Sequence, residues 1–154
     1  MPHIKSLRST LGSIASCAAG VFFVSGCSGL TSENSSINPS YLAYTTMTGT
    51  VTVPDTVTHG TLFTIQIQTI GGGCTQEAAG TDVTVNGQTV EIRPTDRTVV
   101  RNDCPSNLIY INHTANAQVA AAGVATIKVI GITDAPAAGA TNNQYIIQKN
   151  VVVR

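Results

Sequence analysis

The sequence predicts an all-β fold: a single antiparallel β-sandwich of about seven strands, preceded by a signal peptide and a flexible tether. Three observations predict it. Beyond Tyr41 apolar residues recur at every second position, turn residues interrupt them at short intervals, and helical periodicity is nearly absent. A length of 154 residues suits one domain and is too short for two of ordinary size.

The elements follow in chain order. Lys5 and Arg8 are the only charges before Glu33, and an apolar stretch runs from Leu11 to Val24. A positive start, an apolar run and small residues beyond it describe a secretory signal, with residues 1–26 as its extent. The run is too short to cross a hydrocarbon core of ~30 Å as a helix. Residues 27–40 are small and polar and read as a tether, with the folded domain over 41–154. Thr50-Val51-Thr52-Val53 alternates and stops at Pro54. In Leu62–Ile70, Phe63, Ile65 and Ile67 take one face while Thr64, Gln66 and Gln68 take the other.

Asp82–Arg93 reads as a hairpin. Asn86-Gly87 supplies a two-residue type I′ turn, which pairs Val85 with Gln88 and Val83 with Val90. Val83, Val85, Val90 and Ile92 then share a face. Thr95–Pro105 reads as a loop carrying Cys104, with Arg93, Arg97, Arg101, Asp96 and Asp103 as a solvated, mixed-charge stretch. Leu108–Val119 alternates, placing Ile111, His113, Ala115 and Ala117 on one side. Val124–Ile130 is a further strand, Asp134–Gln144 a surface loop, and Tyr145–Val153 the last strand.

Composition excludes several classes. Only 10% of residues are charged and the formal net charge is zero, so the basic footprint of a nucleic-acid binder is missing. Asp and Glu residues are scattered singly, which gives no paired-carboxylate or calcium-loop pattern. Gly71-Gly72-Gly73 is no phosphate loop, because the following Lys-Ser/Thr pair and helix are both missing. No cofactor, metal site or catalytic set is expected.

Val24-Ser25-Gly26-Cys27 resembles the lipobox of bacterial lipoproteins: an aliphatic residue, two small residues, then cysteine. The resemblance implies a diacylglyceryl group on the Cys27 thiol, cleavage before Cys27 and acylation of the new amino group by chains such as palmitate. Two or more acyl chains, at about 0.8 kcal/mol per buried methylene, hold a protein on a membrane stably. Ile14-Ala15-Ser16-Cys17 also fits the pattern, but cutting there would leave too short an apolar run and expose Val21–Val24. The implied location is a bacterial membrane outside the cytoplasm, with a periplasmic or cell-envelope address. Ser28 after the cysteine resembles an outer-membrane sorting signal, should the cell be Gram-negative.

The strand count and turn rhythm of Tyr41–Arg154 resemble the immunoglobulin-like sandwiches of bacterial surface modules. The sequence lacks Trp, and its cysteine spacing is short for a bridge between central strands of two sheets. Export to an oxidising space makes a Cys74–Cys104 disulfide the economical reading, joining a strand end to a loop beyond the hairpin. His113 is the remaining site candidate. It reads either as a neutral core histidine hydrogen-bonded to backbone or Tyr, or as a titrating group near the end of the sandwich.

Together these readings lead to the expectation of a non-enzymatic, membrane-anchored lipoprotein with a structural, adhesive or protein-binding role. Its expected partners are the membrane, through its lipid, and an unspecified protein or glycan, but no nucleic acid. The rival expectations are an inhibitor of a protease or lysozyme and an enzyme of unknown class.

Overall fold

Alternation of branched apolar residues with Thr, Gln and Asn makes the chain extended almost throughout. The computed structural model describes residues 35–44, 47–101, 103–135 and 142–154. Cys17, Cys27 and the signal peptide lie outside the described residues, as does most of the predicted 134–144 loop. Eleven strands and no helix are found among the described residues. They are β1 (Ser35–Pro39), β2 (Tyr41–Tyr44), β3 (Met47–Thr48), β4 (Thr50–Thr52), β5 (Thr56–Val57) and β6 (Leu62–Gly72). The others are β7 (Gln76–Asn86), β8 (Thr89–Val99), β9 (Leu108–Gln118), β10 (Gly123–Thr133) and β11 (Gln144–Val153). The fold is all-β, as predicted; the count exceeds seven because β1, β2, β3 and β5 are short pairings that the alternation pattern does not mark as strands.

Three antiparallel pairs carry the framework: β6 with β9, β7 with β8, and β10 with β11. β6 and β9 pair along their full length, from Leu62 opposite Gln118 to Gly72 opposite Leu108. The sheet is nevertheless mixed, which corrects the expectation of a purely antiparallel one. β10 runs parallel to β8 and to β2, and β11 runs parallel to β5. The cause lies in the hairpin. Its return arm, β8, sits beside β10; had the first arm sat there, the neighbours would be antiparallel. Burial explains the choice, because Val90 and Ile92 on β8 are fully buried whereas β7 is largely exposed.

The hairpin turn also differs in register. Asn86 pairs with Thr89, Val85 with Val90 and Val83 with Ile92, so the two-residue loop is Gly87-Gln88. Gly87, at φ 59°, holds the first loop position, where a positive φ is needed. A slip of two residues keeps the faces unchanged, but Val85 lies at the projecting end of the hairpin and is exposed.

β8 runs on to Val99, so the first half of the predicted Thr95–Pro105 loop is strand. One edge of β8 serves two neighbours in turn: β10 along Thr89–Ile92 and β1 along Thr95–Val99. Pro94, which has no N–H to donate, occupies the changeover, and its carbonyl accepts from Ser40 N at 3.1 Å. β1 lies inside the stretch read as tether, so the folded body reaches back at least to Ser35. Its side chains are exposed and its order comes from backbone pairing, which composition does not reveal.

The sheet curls so that its inward faces share one core. Phe63, Ile65 and Ile67 of β6 and Ala115 and Ala117 of β9 pack in the same cluster as Val90, Ile92, Ile127, Val129 and Val151. Small residues on β9 opposite large ones elsewhere let the faces interdigitate. A disulfide joins Cys74 to Cys104 at a Cα separation of 5.9 Å. It ties the β6–β7 turn to the segment leading into β9, which is the predicted pairing.

Candidate functional site

The residue types able to perform acid–base chemistry meet at one place inside the core. His113 faces inward from β9, opposite Ile67 of β6 in the ladder. Thr69, two residues further along β6, also faces inward and is buried. From the other side comes Asp96 of β8, at 2% exposure, continuing the inward series Val90, Ile92, Pro94. The period of two that buries the valines therefore buries the carboxyl as well. Sequence reasoning placed Asp96 in a solvated loop and missed it; its parity with Val90 and Ile92 was the available signal.

Thr69 Oγ1 lies 3.0 Å from His113 Nε2. Asp96 Oδ1 lies 3.0 Å from the same nitrogen. It nevertheless completes no aligned hydrogen bond. Direction reconciles the two facts: one ring N–H points along one line, and two oxygens cannot both occupy it. A consistent set of roles has Nε2–H donating to Thr69 Oγ1, whose own hydrogen points toward Ile111 O at 3.5 Å. At Nε2 the neighbours of His113 are thus a hydroxyl and a carboxyl from two other strands.

Threonine, histidine and aspartate resemble a nucleophilic triad by composition but not by geometry. In a working triad the base uses one ring nitrogen for the nucleophile and the other for the orienting carboxylate. Here both oxygens crowd Nε2. Side-chain exposures of 1% for His113 and 3% for Asp96 also leave no path for a substrate. Four clefts on the surface are lined by other residues. The largest, about 420 Å³, lies between Pro39, Asp82, Arg93, Ile132 and Asn142–Gln144.

The remaining predicted charges do face solvent. Arg93 pairs with Glu91 and Arg97 with Glu77, each at 3.6 Å with the arginine side chain about half-exposed. No group of three or more His, Cys, Asp or Glu able to hold a metal is found among the described residues. No helix of the described residues is long and apolar enough to cross a membrane. Cys27, the predicted lipidation site, lies outside the described residues. No family model, curated protein or solved structure matches this chain.

Proposed function

We propose that the chain is a bacterial lipoprotein whose folded body is a non-enzymatic binding or adhesive module held on a membrane through Cys27. The observation that carries the non-enzymatic part is the closure of the Thr69–His113–Asp96 cluster. Among the described residues this buried constellation with acid–base chemistry joins β6, β8 and β9 and is withheld from ligands. Binding is left to the surface.

The order of positive start, apolar run and Val24-Ser25-Gly26-Cys27 supports the anchor. The folded body starts by Ser35, so the stretch from Cys27 reaches at most about 30 Å at roughly 3.5 Å per residue. Such a leash keeps the module close to the lipid surface. We further read the body as an immunoglobulin-like sandwich, β4-β6-β9 facing β5-β11-β10-β8-β7, with the hairpin arms exchanged beside β10. The core shared by these two sets of strands supports that reading.

Mass spectrometry of the native protein tests the anchor. The expected product begins at Cys27 and carries a diacylglyceryl thioether and an acyl amide, and Cys27→Ala moves the protein from the detergent to the aqueous phase. A product retaining Met1 with a free Cys27 thiol would overturn the proposal.

A further inference from the structure

The outward side of β4, β6 and β9 differs chemically from the rest of the surface. Cross-strand registers place Thr52, Gln66 and Thr114 in one row and Thr50, Gln68 and Asn112 in the next. Thr64 lies opposite Asn116. Neither β4, β6 nor β9 contains an Asp, Glu, Lys or Arg; the charged residues of the strands all fall on β7, β8, β10 and β11. A solvated face of this size ordinarily has about a quarter to a third of its positions charged. This one is a lattice of amides and hydroxyls, with rows about 6.8 Å apart along the strands and about 4.8 Å apart across them.

The lattice is held in place before any ligand arrives. Thr50 Oγ1 donates to Gln68 Oε1 at 2.8 Å, Gln68 Nε2 donates to Asn112 Oδ1 at 3.1 Å, and Thr64 Oγ1 donates to Asn116 Oδ1 at 3.0 Å. A side-chain amide has two donor hydrogens and an acceptor with two lone pairs, so such a bond fixes its direction while leaving bonding capacity outward. At one end the lattice meets aromatic rings. Tyr110 lies opposite Ile70, and Tyr41 lies opposite Ile70 on the other edge of β6. Tyr41 and Tyr44 pack edge to face at 5.4 Å, and with Gln76 and Leu108 they line a cleft of about 270 Å³. Tyr110 is 46% exposed.

We propose that this face binds a neutral polysaccharide chain laid along β6 and β9. The absence of ionic groups decides the occupant. A polyanion or a charged protein surface would shed hydration against a face with no counter-charge to offer. An apolar ligand would strand the lattice amides and hydroxyls without water. A neutral chain of hydroxyls matches them donor for acceptor, and the tyrosine rings give its C–H faces an apolar seat. From Asn116 to Tyr110 on β9 the lattice and its aromatic end span about 20 Å at about 3.4 Å per residue, enough for several sugar units. The inference deepens the adhesive reading above and rests on the module being displayed for binding, but its test does not require the lipid.

Affinity electrophoresis of the detergent-solubilised full chain tests it, in gels containing hydroxyethylcellulose, galactomannan or glycol chitin, with carboxymethylcellulose as the charged counterpart. At least one neutral polymer is expected to retard the protein, and carboxymethylcellulose to do so less. Q66E/N112E and, separately, Y110A are expected to weaken retardation at least tenfold while the thermal midpoint shifts by only a few degrees. Cys27→Ala is expected to leave retardation intact, so failure of the anchor and failure of this site are separable. No retardation by any neutral polymer would overturn the proposal, as would unchanged retardation of both variants. Self-association lost in the same variants, seen by sedimentation, would assign the face to a second copy and also overturn it.

Discussion

Replacing His113 and Asp96 singly and together gives the sharpest test of the core cluster. In His113→Leu the volume is kept, but Asp96 Oδ1 loses the ring nitrogen placed against it at 3.0 Å. Thr69 is left with the long 3.5 Å approach to Ile111 O. Each stranded buried group costs about 1–3 kcal/mol, so the variant should lose about 2–5 kcal/mol. In Asp96→Leu the Thr69–His113 bond at 3.0 Å survives and the oxygen removed made no aligned hydrogen bond, so the expected change is within about 1 kcal/mol of zero. The double variant removes the carboxyl together with the ring that leaves it stranded, and should be no less stable than His113→Leu alone. Urea unfolding followed by circular dichroism, with m-values checked for constancy, supplies the free energies. Additivity within about 0.5 kcal/mol would refute the coupling, and so would Asp96→Leu costing more than His113→Leu.

Four further outcomes follow from the same geometry. Cys74→Ser/Cys104→Ser should lose about 2–4 kcal/mol because the bond closes a loop of sequence separation 30, and reductant should shift the urea midpoint of the parent toward that of the variant. Ser40→Ala should leave stability unchanged or raise it by up to about 1 kcal/mol, since Ser40 Oγ is fully buried without a partner; a lower thermal midpoint would contradict this. Gly49→Ala should cost more than about 2 kcal/mol in urea unfolding, because its Cβ would press on the backbone carbonyls of Gln68 and Leu42, neither of which can swing away. Glu77→Ala should change stability by less than about 0.5 kcal/mol, its ion pair with Arg97 being largely in solvent.

Strand faces were legible in the sequence because parity is a local property. Phe63, Ile65, Ile67, His113, Ala115, Ile127 and Val129 all point inward as their alternation requires. The disulfide was legible through cysteine count and the expected export. The lateral neighbour of each strand was not, because β7 and β8 both present valines over the hairpin, and nothing local says which arm turns its free edge to β10. Nor was Asp96 read as a core residue. Polarity argued for solvent and parity argued for burial, and the carboxyl alone could not reveal that a histidine and a threonine from two other strands would meet it. β1 escaped for a related reason: Ser35–Pro39 joins the sheet through its backbone, so its side chains carry no trace of the pairing.

The parallel contact between β8 and β10 sets opposite charges side by side. Register sets Val90 beside Ile127 and Ile92 beside Val129 on the inward side, and Glu91 beside Lys128 on the outward side. Arg93 and Arg97 continue the outward charges of β8, while Asp96 turns inward. On β6 and β9 the outward positions face no such neighbours. Their Thr, Gln and Asn side chains bond across the strands instead, and Lys in place of an accepting amide would lose those bonds. Stability alone would tolerate either pattern, since exposed cross-strand pairs of both kinds are worth roughly 0.2–1 kcal/mol. Under the proposal that the β4-β6-β9 face binds a neutral polymer, the segregation of charge onto β7, β8, β10 and β11 follows from the ligand rather than from cross-strand pairing energy.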